Sequence, residues 1–154
     1  MDRLVEAQAH LPDGFTLVLL DCWRTSELQR RLVSHYAGEE GVGAVVGYVS
    51  DPDDAVVVPP HTTGGAVDLT LALDGSALAL GTDFDAFTEE AHLLHHEGAD
   101  GVAEVRACRR LLGRALADSG FAPYPWEWWH WSYGDQRWAA QTGRTRALFG
   151  RALS

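Results

Sequence analysis

One short segment, 66–73 (AVDLTLAL), constrains the fold more than any other part of this sequence. Apolar residues at every second position, from Val67 to Leu73, share one face, whereas Asp68 and Thr70 share the other. A period of two residues is typical of a strand that buries one face in a core. The segment therefore predicts a sheet, and it places a carboxylate on the face opposite four apolar side chains.

The remaining elements are predicted from apolar patterns and from the residues that begin and end them. Thr25 is a candidate N-cap for a helix that Gly38 would end, and Asp74-Gly75 favours a hairpin turn. We expect further strands at 15–21, 55–58 and 126–131, helices at 26–36 and 102–119, and a last helix from Asp135-Gln136. We also expect a loop at 38–47 and a short helix within a long loop at 84–96. Strands and helices do not alternate strictly, so the sequence predicts an α+β fold with an antiparallel sheet and packed helices.

Length and charge narrow the class of protein. The chain has 154 residues, which predicts a single domain over 1–154. A formal net charge of -10 repels phosphate backbones, so nucleic acid is not expected as a partner. No apolar run approaches the ~20 residues that span a bilayer, and the N-terminus lacks signal-peptide features, so we expect no membrane partner and a cytoplasmic location. We expect Cys22 and Cys108 to be buried free thiols.

A histidine and an aspartate seven positions apart form the first candidate site. His61 precedes Gly64-Gly65, and Asp68 lies inside the predicted strand. A loop that leads into a strand can fold an imidazole back over the polar face of that strand. Metal ligation would give the half-buried carboxylate the partner it needs. Taken alone, this pair is equally typical of a satisfied polar core.

A second pair, Glu127 and His130, supplies what a hydrolytic zinc site still lacks. These residues provide a neutral nitrogen ligand and a general base for water. Two histidines and one carboxylate suit zinc and leave one tetrahedral position open. Residues three apart in an ideal strand point to opposite faces, so we expect a bulge, a strand end or a helical turn between them. His92 and His96, spaced four apart near His95, form a rival metal site or a solvated face.

Four segments resemble a known family, in the same order along the chain. The chain is similar to the D-alanyl-D-alanine dipeptidases of the VanX type, which belong to the zinc D,D-peptidases with a hedgehog-like fold. The resemblance runs from about Asp21 to Trp138, and the combination of H-x6-D with E-x-x-H is its most specific part. The segments are HTTGGAVDLTL at 61–71, GTDFD at 81–85, RRLL at 109–112 and EWWHWSYGDQRW at 127–138.

The resemblance implies a role for each matching residue. It implies one zinc per chain held by His61, Asp68 and His130, with Glu127 as the base. It also implies that Arg24 stabilises the oxyanion, where the alternative is an ion pair with Asp21. The expected substrate is a small peptide, with D-Ala-D-Ala first, and the chain is expected to be an N-terminally shortened member. A carboxypeptidase or amidase on larger peptidoglycan peptides, and a non-catalytic zinc-binding module, remain alternatives.

Overall fold

The computed structural model describes residues 1–39, 50–51, 53–54 and 56–152. The helices are α1 (Asp2–Ala9), α2 (Ser26–Glu39), α3 (Pro60–Thr63), α4 (Ala103–Asp118) and α5 (Gln136–Gln141). The strands are β1 (Phe15–Asp21), β2 (Ala66–Leu73), β3 (Ser76–Ala77), β4 (Ala122–Tyr124) and β5 (Glu127–Ser132), and two single 3-10 turns cover Glu89–Ala91 and His95–Glu97. None of the helices in these described ranges has both the length and the apolar character needed to cross a membrane.

The five strands form one sheet with the order β1-β2-β5-β4, and β3 pairs with β2. β1 and β2 are antiparallel from Phe15↔Leu73 to Asp21↔Asp68, with an irregularity between Leu19 and Asp21. β2 and β5 are buried along almost their whole length because both are inner strands of the order. This mixed architecture of helices and an antiparallel sheet confirms the predicted α+β class.

The chain divides into two compact units, and the prediction of a single domain remains a prediction. One unit contains Met1–Asp21 and Asp68–Trp131, and the other contains Cys22–Val67 and Ser132–Ser154. In the first unit, α4 buries the side chains of Leu112 and Leu116 and contacts α1 and β4. In the second unit, α5 begins at an N-cap aspartate, Asp135, whose Oδ1 accepts a hydrogen bond of 2.7 Å from the Trp138 amide.

Several predicted elements are confirmed closely. β2 covers the predicted range, and Asp74 and Gly75 both have positive φ, as a two-residue hairpin between β2 and β3 requires. Thr25 caps α2, since its Oγ1 accepts a hydrogen bond of 3.1 Å from the Leu28 amide. The predicted helix at 102–119 and the strands at 15–21 and 126–131 are also present.

Other predictions were wrong. α2 continues through Gly38 to Glu39. Where a short helix within a long loop was expected at 84–96, the loop contains two single 3-10 turns. The predicted loop at 38–47 lies outside the described residues from position 40 onward. The two cysteines are free, but Cys22 is exposed and Cys108 is half-buried.

The predicted strand at 55–58 is also wrong for its described part, 56–58. The amides of Val56 and Val57 donate to Asp54 Oδ1, and the Val58 amide donates to Gln136 Oε1. Gln136 Nε2 returns a bond of 3.0 Å to the Val56 carbonyl. Side chains therefore make the hydrogen bonds to these backbone groups that a neighbouring strand would otherwise make. Val56 remains 77% exposed.

The edge strand β1 is protected by one side-chain amide from α1. Gln8 Nε2 donates to the Phe15 carbonyl at 2.9 Å, and Gln8 Oε1 accepts from the Leu17 amide at 2.8 Å. The amide thus pairs with β1 much as a peptide group of a further strand would. Polar groups on an edge strand otherwise invite pairing with other chains.

We expect Gln8→Ala to lower the free energy of unfolding by about 1–2 kcal/mol, because it removes two partly buried hydrogen bonds. Gln8→Glu is the matched control, since a carboxylate can still accept from Leu17 but cannot donate to Phe15. The free energy of unfolding of Gln8→Glu, measured with urea, should lie between the values for the unaltered chain and for Gln8→Ala. Equal stability of all three proteins would contradict this role for Gln8.

Candidate metal centre

Asp68 is a buried carboxylate in the middle of an apolar strand. It is 2% exposed on β2, between Val67 and Leu69, which are also buried. Removing a carboxylate from water is costly unless charges or hydrogen bonds compensate. Its Oδ1 lies 3.0 Å from Nδ1 of His130 on the neighbouring strand β5. The two inner strands of the sheet are therefore joined by a polar contact within the core.

Glu127 and His130 approach each other although they are three residues apart on β5. Glu127 Oε2 lies 3.8 Å from His130 Nδ1, and both side chains are buried. Glu127 is the first residue of β5, which is one of the irregularities predicted from the spacing. The edge of the Tyr124 ring packs on His130, with ring centroids 5.6 Å apart. One nitrogen of His130 thus faces two carboxylates.

His61 is placed by the short helix α3, which begins with Pro60 at its first turn and ends at Gly64. Gly64 has φ +73, and a Cβ on Gly65 would come within 2.9 Å of the Tyr133 carbonyl oxygen. Both positions therefore need glycine, and they turn the chain from α3 into β2. These two constraints explain why two glycines follow the histidine in the sequence motif.

A backbone carbonyl fixes the protonation pattern of His61. Its Nδ1 lies 2.6 Å from the Cys22 carbonyl oxygen. A carbonyl can only accept, so Nδ1 carries the hydrogen and Nε2 keeps the lone pair that can bind a metal. Metal-binding histidines in proteins commonly have such a partner on the second ring nitrogen.

The structure brings His61, Asp68 and His130 together as a group that could hold a metal ion. One ligand atom from each side chain lies within 4.8 Å of the others, and all three residues are buried. Two imidazoles and a carboxylate suit zinc, whose ligands lie at about 2.0–2.2 Å and hence roughly 3.3 Å apart in a tetrahedron. The 3.0 Å separation of His130 Nδ1 and Asp68 Oδ1 is close to that value. The donor set and its spacing therefore fit zinc.

Arg24 is linked through its backbone to the residue that carries one of these donors. Its amide donates to the His61 carbonyl at 3.1 Å. Its guanidinium Nη1 donates to Gln29 Oε1 at 3.0 Å, and Gln29, which is buried, donates in turn to the Ser50 carbonyl. Arg24 and His61 therefore lie in one hydrogen-bonded stretch of the second unit.

Comparison with known proteins shows the family to which the chain belongs. The family model described as D-ala-D-ala dipeptidase matches residues 1–146, which include every candidate site residue. The chain belongs to the D-Ala-D-Ala dipeptidase family. Members of this family are peptidases, so the chain is classed as an enzyme.

Individual relatives carry the same description. The D-alanyl-D-alanine dipeptidase of Synechocystis sp. is 26% identical, over 92% of this chain and 70% of the relative. The enzyme of that name from Enterococcus faecalis is 38% identical over 49% of this chain and 37% of its own length. A similar match, 38% identical over 49% of this chain and 37% of the relative, is found with the Enterococcus faecium protein.

The structure does not bring the rival histidine cluster of this dipeptidase-family chain into a three-donor group. Among the described residues, the group around Asp68 is the one set of at least three potential ligands with the required spacing. His96 Nδ1 accepts a hydrogen bond of 3.3 Å from the Val102 amide, and within the described part of the chain its buried Nε2 has no hydrogen-bond partner. Glu97 forms an exposed ion pair with Arg110.

No sequence pattern predicts the groups that orient the site residues. The Cys22 carbonyl that fixes His61, and the Arg24 amide that binds its carbonyl, are backbone groups. Their contacts depend on how the chain returns after β1, which no residue pattern encodes.

His96 should make stability depend on pH. Burial lowers its pKa, and the charges of Arg109, His95 and Arg106 add to the decrease, against a smaller opposing effect of Glu90. The unfolded chain takes up a proton near pH 6.5, and the folded chain does so only at lower pH. We therefore expect the free energy of unfolding to fall as the pH drops below about 6.5.

The matched variant is His96→Gln, whose amide oxygen can still accept from the Val102 amide. Urea unfolding at several pH values, with a chelator present throughout, should give a shallower pH dependence for this variant. The chelator removes metal release as a cause. If the free energy of unfolding depended on pH equally in both proteins, that result would contradict a neutral, buried His96.

Proposed function

We propose that this chain is a zinc-dependent dipeptidase that hydrolyses D-Ala-D-Ala or a similar small dipeptide. In this proposal His61, Asp68 and His130 hold one zinc ion, and Glu127 is the general base. The observation that carries the proposal is the buried three-donor group, with a further carboxylate oxygen 3.8 Å from His130 Nδ1. The names of the relatives support the choice of D-Ala-D-Ala.

Each residue has a distinct task in this reaction. A zinc ion, when bound, supplies positive charge that acidifies water and polarises a carbonyl group. Glu127 accepts the proton of the attacking water as the water oxygen bonds to the scissile carbonyl carbon. The same carboxyl group then gives the proton to the leaving amine as the C–N bond breaks. Glu127 is 6% exposed, so its carboxylate keeps a fixed position for both transfers.

Arg24 is proposed to stabilise the oxyanion that develops on the scissile carbonyl oxygen. A guanidinium can donate charge-assisted hydrogen bonds to such an oxygen. The hydrogen bond that Arg24 Nη1 donates to Gln29 Oε1 restricts the arginine side chain before substrate binds. A binding module would need neither a base nor an oxyanion donor, so Glu127 and Arg24 favour a catalyst.

We expect Glu127→Gln to retain zinc and to lower kcat by about 10²–10⁴-fold, because an amide cannot accept the proton. Zinc content per chain and steady-state kinetics on the same preparation provide the two measurements. Glu104→Gln, an exposed change in the first turn of α4, is the control and should alter neither. Loss of zinc in Glu127→Gln, or an unchanged kcat, would remove Glu127 from the role of base.

The substrate is tested with a panel of dipeptides and longer peptides. D-Ala-D-Ala should be cleaved faster than L-Ala-D-Ala, L-Ala-L-Ala, N-acetyl-D-Ala-D-Ala or a pentapeptide ending in D-Ala-D-Ala. A chelator should abolish the activity, and added zinc should restore it. Faster cleavage of the acetylated peptide or the pentapeptide would instead support a carboxypeptidase, and activity that survives complete metal removal would exclude the zinc mechanism.

A further inference from the structure

A buried arginine on α4, Arg109, joins segments that lie beside the candidate metal centre. Its Nε donates to the Leu80 carbonyl at 2.7 Å, Nη1 to the His92 carbonyl at 2.8 Å, and Nη2 to the Glu90 carbonyl at 2.9 Å. The side chain therefore binds both ends of the chain segment 80–92 by hydrogen bonds. Lysine could not span three carbonyls, because its donors radiate from a single nitrogen.

The surroundings of Arg109 are unusual for a cation. The residue is 4% exposed, and among the described residues its guanidinium has no carboxylate partner. Burial lowers the pKa of Arg109 to about 10, so the group stays charged near neutral pH. A buried charge without a counter-ion is costly unless hydrogen bonds compensate. Three neutral carbonyls provide this compensation, which makes the position of the segment depend on Arg109.

The segment packs directly on the guanidinium at Gly81. This residue has φ +103, and a Cβ there would lie 2.7 Å from His96 Nε2 and 3.0 Å from Arg109 Nη2. The close approach is possible only for glycine. It brings the next residue, Thr82, to β5, where Trp128 Nε1 donates to Thr82 Oγ1 at 2.8 Å. Arg109 also faces the Trp128 ring, with Cζ 5.6 Å from its centroid.

Thr82, Phe84 and Trp128 line one cavity together with Thr70, and its volume is about 560 Å³. Thr70 lies two residues after Asp68 on β2, and Trp128 lies two residues before His130 on β5, so in a strand each shares a face with one of the donors. The cavity is within the usual range of small-molecule sites, about 300–1,000 Å³. The segment Gly81–Phe84, which Arg109 holds, is therefore a wall of a cavity that adjoins the candidate centre.

We propose that Arg109 is a positioning residue that fixes the wall Gly81–Phe84 against Trp128 and thereby sets the affinity for the substrate. This inference rests on the proposed function, since it places the substrate next to Asp68 and Glu127. Arg109 itself contacts the wall and Trp128 and does not take part in the chemical step. Its loss should raise KM, leave kcat nearly unchanged and leave the zinc content unchanged.

The test compares Arg109→Lys with Thr82→Val, which breaks the hydrogen bond to Trp128 without changing α4. Each variant should raise KM about tenfold, the effect of losing roughly one hydrogen bond, with kcat within about threefold. The double variant should show little further increase, because both changes release the same wall. Arg110→Lys is the control, since Arg110 is exposed and pairs with Glu97.

Hydrogen exchange followed by mass spectrometry provides a second readout that needs no substrate. Amides at 80–92 should exchange faster in Arg109→Lys than in the unaltered chain or in Arg110→Lys. Kinetics use whichever dipeptide of the panel the unaltered chain cleaves fastest, and all assays are run well below the measured Tm of each variant. Thr82→Val keeps the kinetic test available if Arg109→Lys does not fold.

Unchanged exchange at 80–92 in Arg109→Lys would overturn the inference. Faster exchange with unchanged KM, a purely kcat effect, or fully additive single variants would also overturn it. A chain that cleaves none of the dipeptides contradicts the proposed function, and the exchange measurement then decides separately whether Arg109 holds the wall.

Discussion

The arrangement of this protein depends on one buried carboxylate, Asp68, in the middle of an inner strand. Its contact with His130 Nδ1, at 3.0 Å, joins β2 to β5 within the core. A shift of β2 by one residue would move Asp68 to the other face and place Val67, Leu69 and Leu71 on the face that now bears the aspartate. The register of the sheet and the geometry of the candidate site are therefore fixed by the same alternation.

A polar cluster of this kind is costly without further compensation. Asp68 and His130 are almost inaccessible to water, and Glu127 lies beside them with its own buried carboxylate. In the proposed function, a divalent cation at this cluster would compensate the buried carboxylate charge. Zinc would then stabilise the folded chain as well as take part in the reaction.

The sequence predicted those parts of the fold that depend on periodicity. The alternation of apolar and polar residues in 66–73 predicts β2 with its observed bounds, and the apolar stripe in 102–119 predicts α4. It also predicted the three donors of the candidate centre, because the spacing around Gly64-Gly65 and the E-x-x-H pair carry that information. Here local pattern and tertiary structure agree, as they do where a strand or helix buries a regular face.

The failures have a common physical cause, which is contact between distant residues. The valines at 56–58 have high strand propensity, but Gln136, far along the chain, satisfies their backbone groups. The carbonyl that orients His61 and the three carbonyls that bind Arg109 likewise come from chain segments that no local pattern connects. Strand propensity describes local sequence alone. It cannot predict partners that come together only when the chain folds.

In the proposed function, chemistry and substrate affinity depend on different side chains. The buried donors on α3, β2 and β5 would hold the metal and supply the base. Arg109 binds the segment 80–92 through three hydrogen bonds, and residues 81–84 line the neighbouring cavity with Trp128. The two sets of residues meet on β5.

The central claim, that His61, Asp68 and His130 bind one zinc ion, is tested most directly by anomalous diffraction at the zinc edge from crystals of the zinc-loaded protein. We predict one strong anomalous difference peak per chain, within about 2.0–2.2 Å of His61 Nε2, an Asp68 carboxylate oxygen and His130 Nδ1. A peak at His92 and His96 instead, or zinc-loaded crystals with no peak among these three donors, would contradict it.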